Sequence, residues 1–280
     1  MEILLEIIMI PAVLAIIKIV VIVLLFALPL GTFLTLMERK WSAMIQDRVG
    51  PNRANIGNFT GHGIMHLAAD GLKSIFKEDT MPKGADGFLY LIAPFFGLIA
   101  AVATFAIIPI AGPIGDFTFQ VTDIEPGLLF IFAITSLSVY GAVLAGTSSN
   151  SKFALLGGTR ASAQMISYEV FMGLALMGIF MVYGTTRVSG IVDGQNEYWF
   201  GSLIPMWGVF TQPLGFVLFF TALVAETKRA PFDAPEGESE IVAGYFLEYS
   251  GMRWAAFMLA EYVALVGVAS LITTLFFGGY

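Results

Sequence analysis

Five carboxylates are crowded into one short stretch, AETKRAPFDAPEGESE, which runs from residue 225 to residue 240. Neighbouring carboxyl groups raise one another's affinity for protons, and such groups can share a proton. If residues 235–248 are helical, Glu236 and Glu240 lie one turn apart on one face. The stretch therefore predicts proton-handling chemistry, against the alternative of a solvated acidic surface. The acids are Glu226, Asp233, Glu236, Glu238 and Glu240, and the bases are Lys228 and Arg229.

The residues between these acids favour the lining of a site over a freely solvated loop. Pro231 and Pro235 stiffen the chain because a proline ring fixes φ. Phe232 and Tyr245 are large rings that a solvated loop has little reason to carry. Arginine does not readily lose its proton, so Arg229 can hold a nearby carboxylate ionised or bind a polar head group.

Two further carboxylates lie inside long apolar runs, Glu169 in ISYEVFMGLAL and Glu261 in FMLAEYVALVG. A charged side chain at membrane depth costs on the order of several kcal/mol, so it usually pairs, faces a wet cavity or binds a proton. The alternative is a glutamate near a helix end that snorkels to the interface. Together with Glu226, Glu248 and the loop acids, these residues predict a chain of carboxylates leading into the membrane.

The elements that must position these residues are membrane-spanning helices. Of the 280 residues 57% are hydrophobic and 12% are charged, and the mean hydropathy is +0.82. A helix needs about 20 apolar residues to cross the hydrocarbon core. We therefore predict an all-α integral membrane protein, a single membrane domain over residues 1–280 with about six transmembrane helices. The predicted spans are residues 10–36, 88–111, 127–147, 161–184, 203–225 and 254–277.

Basic residues are concentrated in alternate connections between these spans. The first connection, residues 37–87, holds seven Lys and Arg residues, whereas the second, residues 112–127, holds none. The positive-inside rule then places the N-terminus outside and the first, third and fifth connections in the cytoplasm. The acidic loop, residues 226–253, is therefore predicted to be cytoplasmic. The opening MEILLEIIMIP lacks the basic region of a signal peptide, so the first span is expected to stay uncleaved.

Two local signals place helices outside and at the edge of the membrane. Apolar residues recur at helical spacing between residues 62 and 79, which predicts an interfacial amphipathic helix. Thr159 is the predicted N-cap of the fourth span. We find no internal repeat, which argues against a transporter built from inverted repeats.

Composition also excludes several kinds of site. The chain has no cysteine, so disulfides, thiolate-bound zinc and protein-ligated iron–sulfur clusters are excluded. His62 and His66 are too few for a metal site, and we predict no metal ligands. The net charge of −7 argues against binding of nucleic acid.

Five blocks of sequence, in order, resemble the H subunit of bacterial NADH:quinone oxidoreductase, respiratory complex I. The resemblance covers the chain from about residue 33 to its end. The blocks are ERKWSAMIQDRVGPNR (38–53), AADGLKSIFKED (68–79), GTRASAQMISYEV (158–170), AETKRAPFDAPEGESEIVAGYFLEYSGMRWAAFMLAEY (225–262) and LITTLFFGG (271–279).

The resemblance implies a multi-pass subunit of a bacterial inner membrane, inert alone, with no catalytic residue of its own. It implies that quinone is the substrate and that FMN and iron–sulfur clusters lie on partner subunits. The implied partners are other membrane subunits, peripheral subunits and the lipid bilayer. The implied quinone-chamber residues are Glu38, Arg39, Asp70, Arg229 and Asp233. The implied proton-path residues are Glu169, Glu226, Glu236, Glu238, Glu240, Glu248 and Glu261.

The sequence departs from the family pattern at two places. His66 and Leu67 stand where the family usually has Gln and Pro, which is expected to alter the tunnel wall or the preferred quinone. Family members normally continue beyond LFFGG into two further membrane helices, whereas this sequence stops at Tyr280. The resemblance therefore implies either a truncated sequence or helices carried on another polypeptide.

Three alternatives stay open at this point. The first is the related anchor subunit of a membrane-bound hydrogenase or another oxidoreductase whose donor is not NADH. The second is a cation/proton secondary transporter, and the third is a passive anchor for a hydrophilic enzyme. Intramembrane acids suit a transporter as well as a respiratory subunit.

Overall fold

The computed structural model describes residues 13–55, 57, 61–113, 115, 118–199 and 204–280. Within these residues five helices are long and apolar enough to cross a membrane, and Pro213–Glu226 is a shorter apolar helix. The predicted all-α membrane fold is confirmed. The helices are α1 (Val13–Ile45), α2 (Met65–Phe76), α3 (Gly87–Thr104), α4 (Gly127–Ser148), α5 (Lys152–Tyr183), α6 (Val188–Gln195), α7 (Gly208–Thr211), α8 (Pro213–Glu226), α9 (Glu238–Ile241) and α10 (Gly251–Phe276), and strands β1 (Tyr198–Trp199) and β2 (Ile204–Pro205) pair antiparallel.

Five helices form the bundle that surrounds the site. Helix α3 packs between α10 and α4, α5 packs between α4 and α8, and α1 lies outside against α10. Small residues let the backbones approach, as is typical of membrane helices. A Cβ on Gly146 of α4 would lie 2.6 Å from the Ala154 carbonyl oxygen of α5, so only glycine fits this crossing.

The connections separate to opposite ends of the bundle. Ser250 donates to the Glu78 carbonyl oxygen, and the Asp86 N–H donates to the carbonyl oxygen of Ser148, where α4 enters the third connection. The first, third and fifth connections therefore meet at one end. Thr186 donates to the Glu125 carbonyl oxygen, which joins the second and fourth connections at the other. We call these the acidic-loop end and the opposite end.

The interfacial helix has the predicted amphipathic character. Helix α2 has no fully buried residue, and Ile75 and Phe76 are exposed on it. Asp70 on the same helix pairs with Arg39 at the end of α1. The apolar side is thus left free of intramolecular packing.

The start of the fourth span differs from the prediction. Helix α5 begins at Lys152 with Ser151 in extended conformation at its N-cap, so the predicted start at residue 161 and the predicted Thr159 N-cap are wrong. The Thr159 hydroxyl instead donates to the Leu156 carbonyl within the helix. Two adjacent glycines, Gly157 and Gly158, are typical of a loop. A Cβ on Gly157 would lie 2.6 Å from Gly244 Cα, so this glycine allows close packing within the helix bundle.

Two other helices have different bounds from those predicted. Helix α1 continues to Ile45, nine residues beyond the predicted end at 36. In the fifth span, Gln212 has φ −137° and ψ 61° and interrupts the helix between α7 and α8. Pro213 then starts α8, where its missing N–H costs nothing.

The conditional prediction of one helix over residues 235–248 is wrong. Only α9, Glu238–Ile241, and a 3-10 turn, Gly244–Phe246, are helical there. Val242 has φ +70° and Gly244 has φ +62°, both outside the helical region. A Cβ on Gly244 would overlap the Pro235 carbonyl oxygen, so the chain folds tightly back on itself at this point.

Candidate functional site: buried carboxylates and their basic partners

Arg229 joins three elements at the acidic-loop end. Its Nη1 donates to Glu38 Oε2 at 2.8 Å, on α1, and its Nη2 lies 3.0 Å from Glu261 Oε1, on α10. Nη2 makes no well-aligned hydrogen bond, so the contact with Glu261 is an ion pair only. Burial lowers the pKa of Arg229, but Glu261 and Glu38 outweigh burial and raise it. The guanidinium is therefore a fixed positive charge between two carboxylates.

Tyr262 completes this group, which we call the arginine cluster (Glu38, Arg229, Glu261, Tyr262). Its hydroxyl donates to Glu38 Oε2 at 2.7 Å, and its ring centroid lies 4.7 Å from the Arg229 guanidinium carbon. A cation over an aromatic face is stabilised by the ring quadrupole. Tyr262 therefore holds both partners of the Glu38–Arg229 pair in place.

A second group, the lysine cluster, contains Lys228, Tyr245 and Glu236. Lys228 Nζ donates to the Tyr245 hydroxyl at 2.6 Å, and that hydroxyl donates to Glu236 Oε1 at 3.3 Å. Lys228 Nζ also lies 4.0 Å from Glu236 Oε1. The cluster is a short relay of exchangeable protons from an ammonium through a phenol to a carboxyl group.

Burial sets the protonation of this relay. It raises the pKa of Glu236, which Lys228 opposes and Asp233 reinforces. It also raises the pKa of Tyr245 well above its usual value, with Glu236 and Glu261 adding to the effect. Tyr245 therefore keeps its proton, while Glu236 binds a proton more readily than an exposed glutamate does.

Glu226 ends α8 with one oxygen cut off from solvent. Its Oε2 is inaccessible and accepts no hydrogen bond from the residues that the structure describes. Glu169 on α5 lies close enough to repel it, and faces Ser136 of α4. An unsatisfied carboxyl oxygen in a bundle is a place where a proton or a water molecule is bound favourably.

A cavity of about 110 Å³ lies within the five-helix bundle. Its acidic-loop end is lined by Glu226, Glu261, Lys228 and Tyr245, and its walls further along are mainly apolar. The volume is ample for several water molecules, each of which needs at least about 10–15 Å³. Hydroxyl groups that line the cavity belong to Thr104, Thr135, Ser138 and Thr227.

Gln164 on α5 fixes the turn that carries both basic residues. Its Nε2 donates to the Ala225 carbonyl and to the Phe232 carbonyl, each at 2.8 Å. One side chain thereby ties the end of α8 to the segment beyond Arg229. The positions of Lys228 and Arg229 depend on these two hydrogen bonds.

The structure brings together some of the predicted site residues and separates others. Glu38, Arg229 and Glu261 meet in the arginine cluster. Arg39 and Asp70 form their own exposed pair between α1 and α2. Asp233 lies near enough to Glu236 to raise its pKa.

The remaining loop acids lie apart from the two clusters. Glu240 pairs with Arg160 at 2.6 Å and is exposed, so the expected pairing of Glu236 with Glu240 is wrong. The reason is that α9 begins only at Glu238, so Glu236 lies before the helix that carries Glu240. The backbone carbonyl of Glu248 accepts a hydrogen bond from Tyr90 at 2.7 Å. Glu238 lies in α9, but its side chain falls outside the described part of the structure.

Sequence reasoning missed three residues of the site. Tyr262 and Gln164 were not predicted, and Lys228 was counted only as a loop charge. Tyr262 follows Glu261 directly, and a tyrosine beside an intramembrane acid is the one local signal that could have found it. Among the residues that the structure describes, there is no group of three or more His, Cys, Asp or Glu side chains that could hold a metal ion.

Comparison with known proteins gives a consistent result. A family model described as NADH dehydrogenase matches residues 17–280. An H subunit of the NADH-quinone oxidoreductase of Geobacter metallireducens is 45% identical over 257 residues, which cover 90% of this chain and 74% of that protein. The H subunit of the NADH-quinone oxidoreductase of Bacillus cytotoxicus is 45% identical over 260 residues, which cover 92% of this chain and 73% of that protein.

Proposed function

This chain belongs to the NADH dehydrogenase family and is a membrane subunit of an NADH-quinone oxidoreductase, and on that premise we propose that its acidic-loop end forms part of a quinone chamber and the start of a proton path. The subunit lies in a bacterial inner membrane with its N-terminus outside and the acidic loop in the cytoplasm. The match to this family favours the respiratory subunit over the hydrogenase-anchor, transporter and passive-anchor alternatives.

The electrons come from partner subunits in this proposal. The chain has no cysteine and so offers no thiolate for an iron–sulfur cluster. FMN and the clusters belong to the peripheral partners, as the resemblance implies. Reduction of a quinone to a quinol takes two electrons from them and two protons from the surrounding groups.

The observation that carries the proposal is the position of Arg229 between Glu38 and Glu261. Glu38 is on the helix that leads into the first connection. The resemblance places the chamber wall in that connection, with Arg39 and Asp70, and in the acidic loop, with Asp233. Glu261 lines the internal cavity. A change of charge in the quinone chamber, near Glu38, therefore affects Glu261 at the cavity through the Arg229 guanidinium.

The sign of this coupling follows from electrostatics. A negative charge that develops on the quinone near Arg229 weakens the hold of Arg229 on its two carboxylates. Glu261 then binds a proton more readily, because an opposite charge nearby had favoured its ionised form. Glu226 lines the same end of the cavity as Glu261, and Glu169, which lies near Glu226, extends the path. Glu236, Glu238, Glu240 and Glu248 form its cytoplasmic side.

The test compares Glu261→Gln with Glu125→Gln in the assembled complex reconstituted in vesicles. Glu125 is an exposed glutamate at the opposite end and serves as the control. NADH:quinone reductase activity and protons translocated per NADH are measured on the same vesicles. We expect Glu261→Gln to lower proton translocation while Glu125→Gln changes neither quantity. Wild-type translocation in Glu261→Gln would contradict the proposal.

A further inference from the structure

We propose that Asp79 and Arg253 are positioning residues that link the first connection mechanically to Glu248. This inference rests on the proposed function, because it concerns how a displacement at the quinone chamber reaches the proton path. Neither residue belongs to the arginine cluster or to the lysine cluster. The two residues and their neighbours form what we call the strut (Glu78, Asp79, Tyr90, Tyr249, Ser250, Arg253).

The first half of the strut joins the first connection to the start of α10. Arg253 Nε lies 3.0 Å from Asp79 Oδ2, and the Ser250 hydroxyl donates to the Glu78 carbonyl at 3.1 Å. Gly251 has φ +56°, and a Cβ there would lie 3.4 Å from the Lys77 carbonyl oxygen. The N-terminal turn of α10 is therefore seated directly on the segment that ends α2.

The second half joins Arg253 to the backbone of Glu248 through two tyrosines. The Arg253 guanidinium carbon lies 5.3 Å from the centroid of the Tyr90 ring. Tyr90 stacks on Tyr249 with centroids 4.0 Å apart and planes 5° from parallel. The Tyr90 hydroxyl donates to the Glu248 carbonyl at 2.7 Å. The position of Glu248 is thus set from α3 and from the first connection together.

The strut combines a rigid part with a weak part. Tyr90 is completely buried and Tyr249 is 6% exposed, so the stacked rings move as one unit. The Arg253 and Asp79 side chains are 27% and 34% exposed, and such a partly solvated pair contributes little to stability. A displacement of the first connection can therefore shift or open the ion pair without breaking the packed core.

The segment that carries Glu248 is held by the strut and by turn hydrogen bonds. Residues 247–250 lie between a 3-10 turn and α10, and their backbone bonds run from Leu247 N–H to the Gly244 carbonyl and from Tyr249 N–H to the Phe246 carbonyl. Loss of the Asp79–Arg253 pair leaves the tyrosine stack in place but removes the ion pair that links it to the first connection, while the Ser250–Glu78 hydrogen bond remains. The predicted effect is on coupling and not on the reduction of quinone itself.

The experiment measures NADH:quinone reductase activity and protons translocated per NADH in vesicles that contain the assembled complex. The variants are Asp79→Asn, Arg253→Gln and the swapped pair Asp79→Arg with Arg253→Asp. The control is Asp123→Asn, which removes a pair with Arg187 at the opposite end. Glu248→Gln is measured in parallel to test the proposed function separately.

We expect both single variants to keep reductase activity within about twofold of the wild type. The number of protons translocated per NADH should fall by about two- to fivefold, because one partly exposed ion pair contributes only a small interaction energy. The swapped pair should recover most of the stoichiometry, and Asp123→Asn should not change it. If both single variants keep the wild-type number of protons per NADH while Glu248→Gln lowers it, the proposed role of the strut is wrong. The proposed function is not contradicted by that result.

Two further outcomes are also decisive. Full proton translocation in Glu248→Gln overturns the role of Glu248 in the proposed path, and the strut with it. If a single variant assembles poorly, the swapped pair decides the question. Recovery of assembly without recovery of stoichiometry makes the pair merely structural and overturns the inference.

Discussion

Nη2 of Arg229 lies 3.0 Å from Oε1 of Glu261, and this contact closes the gap between the loop after α8 and helix α10. Farther from the acidic-loop end, α8 and α10 pack through Phe216 and Phe219 against Phe276. The Glu261 side chain is 11% exposed and the Arg229 side chain 24%. One poorly solvated ion pair therefore links the two elements at the acidic-loop end, where the proposed proton path begins.

Arg229→Gln should destabilise the subunit and abolish quinone reduction. The change leaves Glu38 and Glu261 without their counter-charge, and removal of one partner of a buried pair costs about 3 kcal/mol or more. Arg229→Lys keeps the charge but cannot bridge both carboxylates, so its effect should be smaller. The measurement is the inactivation temperature of the assembled complex together with its reductase activity. Equal inactivation temperatures for Arg229→Gln and the wild type would contradict the bridging role.

Tyr262→Phe should lower activity less than Tyr262→Ala. The Phe variant loses the hydrogen bond to Glu38, worth about 1 kcal/mol, but keeps the ring beside the Arg229 guanidinium. The Ala variant loses both. Quinone titrations give KM and kcat separately, and we expect an increase in KM for Tyr262→Phe because Glu38 is no longer held. The opposite order of severity would show that the ring does not support Arg229.

Glu236 should make stability depend on pH. Burial raises the pKa of Glu236 above its ordinary value of 4.5, so the folded protein binds a proton where the unfolded chain has lost it. The contribution of Glu236 to the free energy of unfolding is then complete at low pH. It is lost as the pH rises from about 4.5 through the pKa of Glu236 in the folded protein. The difference in inactivation temperature between wild type and Glu236→Gln, followed against pH, isolates this contribution. The two complexes should diverge as pH rises, with the wild type losing more. Parallel curves would mean that Glu236 has an ordinary pKa.

Gln164→Glu should loosen the turn that carries Lys228 and Arg229. The variant has the same shape but no amide protons, and it places a carboxylate against two carbonyl oxygens. Two lost hydrogen bonds correspond to about 2 kcal/mol or more. Thermal inactivation of the assembled complex measures the loss, and Gln46→Glu, near the exposed end of α1, is the control. Similar small effects in both variants would show that Gln164 does not fix the turn.

Much of the fold could be predicted because apolar length and charge alternation are local properties. The spans around α3, α4 and α10 follow from runs of apolar residues, and the shared end of the odd-numbered connections follows from their charges. The bounds of α5 were missed because its glycines look like a loop and are explained only by packing against α4 and Gly244. Helix packing overrode local propensity at that point.

The sequence indicates many residues of the candidate site but not how they pair. Glu169 and Glu261 stand out because they lie inside apolar runs, where a charged side chain is costly and is usually functional. No local pattern indicates that Arg229 reaches Glu38, which is 191 residues away in the chain. Helix α9 begins only at Glu238, which leaves Glu236 outside the helix that carries Glu240. The fold of this segment depends on tertiary contacts, such as Gly244 against the Pro235 carbonyl, that the sequence does not display.

The most direct test of the central claim is the infrared difference spectrum between the oxidised and quinol-reduced complex, which reports protonation of carboxyl groups. We expect a carboxylic acid C=O band that appears on reduction and is lost in Glu261→Gln but kept in Glu125→Gln. A band that is identical in Glu261→Gln and the wild type would contradict the claim that Glu261 takes up a proton when quinone is reduced.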